Sequence, residues 1–87
     1  MYNEANMNNL ILLINERGTD YLVTLEDNKG TLLTVGEFPE RLYRDNIQKL
    51  YDDTLALAVK FISDRKMTRV SKIRHQFATK IRYEKEL

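Results

Sequence analysis

Apolar residues come in short blocks over the first third of the chain, and each block is closed by the same polar signal. Asn15-Glu16-Arg17-Gly18-Thr19 and Asp27-Asn28-Lys29-Gly30-Thr31 share the pattern (Asn/Asp)-x-(Lys/Arg)-Gly-Thr. Asn or Asp opens a turn by bonding nearby backbone, and glycine takes the following left-handed position without a Cβ clash. That is hairpin chemistry. Two such turns among β-branched and aliphatic residues predict a three-stranded antiparallel meander with strands at residues 9–14, 19–26 and 31–35. Met7, Leu10, Ile11 and Ile14 also fit a helix over residues 4–16, but the twin turns favour the strand.

The turns set an expected register in which Ile14 faces Thr19 and Glu26 faces Thr31. One face of the sheet then carries Leu10, Leu12, Ile14, Tyr21, Val23, Leu25 and Leu32. The other carries Ile11, Leu13, Leu22, Leu33 and Val35. A half-solvated sheet should show one polar face, so both of these ask for a cover.

Beyond Pro39 the period changes. Tyr43, Ile47, Leu50, Tyr51, Leu55, Leu57, Ala58, Phe61 and Ile62 recur about every 100°, opposite Asp45, Lys49, Asp52 and Lys60. Pro39 suits a first helical turn, so a long amphipathic helix is expected over residues 39–63. Val70, Ile73, Phe77 and Ile81 form a narrower stripe, read as a second helix over residues 68–84. A break is expected near Ser63 to Thr68, with Thr68 as a candidate cap; with no Gly or Pro there, one long bent helix is the alternative. The expected fold is therefore α+β, a βββαα order in one domain. The first helix packs on the sheet, and residues 1–8 form an Asn-rich lead-in.

Composition narrows the function classes. The chain has 87 residues, no cysteine and one histidine, His75. Disulfide, thiol and thiolate-metal chemistry are thereby excluded. The longest aliphatic run, Leu10 to Ile14, is far short of the roughly 20 residues of a membrane span, and a cytoplasmic protein is the expectation. The near-neutral total hides a polarised chain: residues 1–64 sum to −5 and residues 65–87 to +6, with no acid between Arg65 and Tyr83. Such asymmetry points to a contact surface.

Candidate chemistry is thin. Adjacent Asp52 and Asp53 point about 100° apart on a helix and read as a solvated face. Gly18, Gly30 and Gly36 are accounted for by turns or a strand end, which leaves no phosphate-cradling loop. Arg69-Val70-Ser71-Lys72-Ile73-Arg74-His75 resembles the Arg-to-His element of HEPN ribonucleases, in which an Arg and a His would handle phosphodiester cleavage. HEPN domains are all-helical and this chain opens with a sheet pattern, so the reading adopted for the segment is a basic helix with one exposed histidine.

The contact surface is expected among Arg65, Lys66, Arg69, Lys72, Arg74, His75, Gln76, Lys80, Arg82 and Tyr83. Arg65, Arg69, Lys72, Gln76 and Lys80 lie three or four residues apart along one helix edge. Tyr21, Tyr43, Tyr51, Phe61 and Phe77 fall on core stripes, whereas Tyr2, Phe38 and Tyr83 read as exposed anchors. The leading expectation is a non-enzymatic interaction protein that regulates or inhibits a larger macromolecule, in the style of small phage and mobile-element accessory proteins. It needs no cofactor or metal. A protein partner or homodimerisation would cover the remaining apolar surface. The alternative is a DNA or RNA binder that contacts phosphates through residues 65–82.

Overall fold

The computed structural model describes residues 9–64 and 69–87. Three strands open it: β1 (Asn9–Glu16), β2 (Asp20–Asp27) and β3 (Gly30–Pro39). A 3₁₀ turn (Glu40–Leu42) and helix α1 (Ile47–Asp64) follow. Strands β4 (Arg69–Phe77) and β5 (Lys80–Glu86) close the chain. They form one five-stranded sheet in the order β3-β2-β1-β4-β5. β1 lies at its centre, antiparallel to β2 and parallel to β4.

The meander is as expected in order, and residues 9–16 are strand, not helix. Gly18 and Gly30 take the positive φ values, +97° and +132°, that their turns require. Asp27 Oδ1 accepts the Lys29 N–H at 2.7 Å. Glu26 faces Thr31 as predicted, but Ile14 faces Val23 instead of Thr19. The difference of four positions is even, so β1 and β2 keep the predicted faces. β3 does not. Leu32 and Val35 are extra residues at two register shifts, and each shift reverses which side the following residues take. Leu33 and Val35 consequently join the core, and Leu32 is left 43% exposed.

The βββαα expectation is corrected in its second half. Residues 69–86 form a β-hairpin that extends the sheet, and one helix, not two, is found among the described residues. The apparent helical stripe has a specific origin. Ser71 is an extra residue between Val70, opposite Leu10, and Lys72, opposite Ile11. A bulge separates two same-face residues by three positions, which imitates one helical turn. The proposed Thr68 cap and the lead-in at residues 1–8 lie outside the described residues.

The helix also starts later than Pro39. Pro39 ends β3, and the Glu40 N–H donates to the Thr19 carbonyl at 3.0 Å, which ties the 3₁₀ turn to the β1–β2 loop. α1 begins after Asn46, whose side-chain oxygen accepts the Lys49 N–H at 3.3 Å. The helix buries Leu50, Tyr51, Thr54, Ala58 and Ile62. Thr54 is tolerated in this dry stripe because its hydroxyl donates to the Leu50 carbonyl at 2.7 Å.

Register divides the sheet into two faces. The helix-side face carries Leu10, Leu12, Ile14, Val23, Leu25 and Ile73, each at most 3% exposed. The open face runs in three rows across the five strands: Glu37-Leu22-Asn15-Gln76-Ile81, Thr34-Thr24-Leu13-Arg74-Glu84 and Thr31-Glu26-Ile11-Lys72-Glu86. Ile11, Leu13 and Leu22 are half-buried there. Among the described residues no helix covers this face.

Candidate functional site

The parallel β1–β4 pairing sets Glu16, His75 and Tyr83 beside one another on the helix side, because Ile14 faces His75 and His75 faces Tyr83. Tyr51 reaches down from α1. His75 is 4% exposed, not the exposed helical histidine expected. Its Nε2 lies 2.9 Å from Glu16 Oε1 and its Nδ1 lies 2.8 Å from the Tyr51 hydroxyl. A carboxylate only accepts, so Nε2–H donates to Glu16, and in the tautomer with its single proton on Nε2 the ring accepts the Tyr51 hydroxyl at Nδ1. Arg82 Nε lies 3.2 Å from the same Glu16 oxygen.

Rings pack around this chain of bonds. Tyr21 meets the imidazole edge-on at 5.6 Å, and Tyr83 stacks on Tyr51 at 4.5 Å with the planes 9° apart. Burial pushes the Tyr51 phenol up to about 12, with the Tyr83 ring adding to the rise, and burial raises Tyr21 as well. An acid, an imidazole and a hydroxyl in line have the order of a catalytic triad. Here Tyr51 is 7% exposed and its phenolic proton is held more tightly than usual, the reverse of an activated nucleophile. Every buried side-chain polar atom described has a partner, so the chain of bonds reads as a lock between helix and sheet. Among the described residues no cluster of three or more acids and histidine could hold a metal ion.

The predicted contact residues are dispersed. Arg65 and Lys66 lie outside the described residues. Arg69 is exposed at the start of β4. Lys72 and Arg74 point to the open face and pair with Glu86 and Glu84, at 3.2 Å for Lys72. Gln76 Nε2 donates to Asn15 Oδ1 at 3.0 Å. Lys80, Arg82 and Tyr83 belong to β5. The single basic edge drawn from Arg65 to Lys80 is therefore not formed, since Lys72 and Gln76 take one side of the sheet and Lys80 the other. Among the described residues, Lys80 and Lys85 have no ion pair.

Three aromatic assignments are also corrected. Phe77 is 43% exposed, with the Arg82 guanidinium 5.5 Å from its ring centre. Tyr83 and Phe38 are partly buried against the core. Glu16 and Tyr51 were absent from the sequence-based site. Their signal was weak: a glutamate at a strand end and a tyrosine inside an apolar stripe.

Two depressions flank the hairpin. One, about 480 Å³, lies at the open-face end and includes Ile11, Asn28, Arg69, Ser71 and Lys72. The other is a groove of about 90 Å³ between α1 and β5, with Tyr51, Asp52, Leu55, Tyr83, Lys85 and Leu87 along it. No family model, curated protein or solved structure matches the chain. No helix among the described residues is long and apolar enough to cross a membrane.

Proposed function

We propose that this protein is a non-enzymatic interaction module that binds and regulates a larger protein partner through its C-terminal hairpin and the adjoining sheet. The observation that carries the reading is the exterior of that hairpin. β5 is an edge strand, and Phe77, Ile81 and Leu87 are 43%, 51% and 44% exposed around it, close in sequence to unpaired Lys80 and Lys85. Aromatic and aliphatic side chains interleaved with cations suit a protein contact, with the apolar groups giving affinity and the charges steering approach.

The phosphate-binding alternative draws on the same segment, but three of its cations already face acids: Lys72, Arg74 and Arg82. Pairing of this kind leaves less charge to displace counterions from a nucleic acid. The deciding experiment compares partner capture by wild type and by a K80E/K85E variant, alongside anisotropy of labelled duplex DNA and single-stranded RNA at low and near-physiological salt. A specific protein recovered by wild type and lost with the variant supports the reading. Oligonucleotide binding that survives the higher salt and disappears in K80E/K85E overturns it.

A further inference from the structure

From the shape and charge of β5 we infer that its outer edge takes an extended, acidic segment of the partner protein as a sixth strand, a mode that rests on the interaction role proposed above. The two flanks of β5 differ. Lys80 faces Phe77 and Lys85 faces Ile73, so both lie on the helix side, where Arg82 also bonds Glu16. The open side shows Ile81, Glu84 and Glu86, whose carboxylates are held by Arg74 and Lys72. An added strand alternates its side chains between the same two sides. Its helix-side residues meet unpaired Lys80 and Lys85 to either side of Tyr83, with Arg82 held by Glu16 between them, and its other residues meet Ile81 and neutralised pairs. The groove beside Tyr83, walled by Leu55 and Leu87, has room for one small aliphatic side chain among the acids.

The charge order of β5 argues against a second copy as the occupant. Antiparallel self-pairing within the regular stretch Tyr83 to Glu86 must place same-face residues opposite each other. Those registers set Glu84 on Glu84, Lys85 on Lys85 or Glu86 on Glu86, and like charges directly opposite destabilise. Centring the pair on Tyr83 would match Glu84 with Arg82, but the extra residue at Arg82 puts these two on opposite sides. The other edge, β3, is broken by two bulges and ends in Pro39, which has no N–H to donate.

The probe is a labelled peptide alternating glutamate and valine, titrated by anisotropy at near-physiological salt. Saturable binding is expected, weakened about tenfold or more by K80E/K85E. K80Q/K85Q gives an intermediate loss, and circular dichroism verifies both folds. Methylating the backbone nitrogens of the peptide throughout abolishes binding, and the amide hydrogens of β5 exchange more slowly in the complex. The inference is overturned if the peptide fails to bind, if the methylated or a lysine–valine peptide binds equally, or if single-stranded DNA of equal charge competes equally. Sedimentation showing a β5-dependent dimer overturns it as well. Partner capture that still depends on Lys80 and Lys85 while the peptide fails would reject strand addition alone and leave the interaction role standing.

Discussion

The Tyr51 hydroxyl sits 2.8 Å from His75 Nδ1, joining residues 24 positions apart across the helix–sheet interface. Tyr51→Phe keeps the ring stack with Tyr83 but leaves a buried imidazole nitrogen without its donor. A loss of about 1–3 kcal/mol in unfolding free energy is expected by urea titration. In a double-mutant cycle with His75→Leu, the two losses should fall short of additive, because each removes the same bond.

Alkaline stability should report the same hydroxyl. The folded protein holds the Tyr51 proton up to about 12, against 10.0 for a free tyrosine. The neutral form is thus favoured by folding. Its contribution is full below pH 10 and is lost as pH rises through about 12, roughly 2–3 kcal/mol at the limit. Urea midpoints followed from neutral pH to pH 12 should decline more steeply in wild type than in Tyr51→Phe.

Ala78 occupies φ +54° at the tip of the β4–β5 hairpin, a conformation that carries a Cβ penalty. Relief of that strain should outweigh the greater freedom glycine gains in the unfolded chain. Ala78→Gly is expected to stabilise by about 0.5–1 kcal/mol, read as a higher thermal midpoint.

Deletion tests the bulge at Ser71. Removing Ser71 leaves Val70 and Lys72 in regular alternation opposite Leu10 and Ile11. The fold should persist with a loss of about 1 kcal/mol, since the Leu87 N–H loses its bond to the Ser71 carbonyl. Removing both Ser71 and Lys72 would place Ile73 on the open side and Arg74 under the helix. That chain should lose its cooperative thermal transition.

These positions also explain what could be read without coordinates. The meander was legible because Gly18 and Gly30 mark its turns, and α1 because a long stripe outlasts any local ambiguity. The last hairpin was hidden by three features acting together. Ala78 and Thr79 carry no turn signature, Ser71 gave Val70 and Ile73 a helical spacing, and His75 was counted as polar although it fills a buried core position. The candidate site suffered in turn, because a helix would have gathered cations that a strand separates. Lys80, Arg82 and Tyr83 keep a shared place in the observed fold, on β5.

The parallel pairing of β1 with β4 bears on how the chain reaches this structure. β1 is the first described strand and the most central, yet one of its two neighbours comes from residues 69–77. During synthesis the meander can close early, but one flank of β1 stays without its partner until residues 69–77 have emerged. Closing that long loop is entropically slow, and a chain cut after α1 would present a bare aliphatic strand to its neighbours. Successful folding is therefore gated by the arrival of the C-terminal hairpin, and truncations within it should appear as insoluble protein before they appear as lost binding.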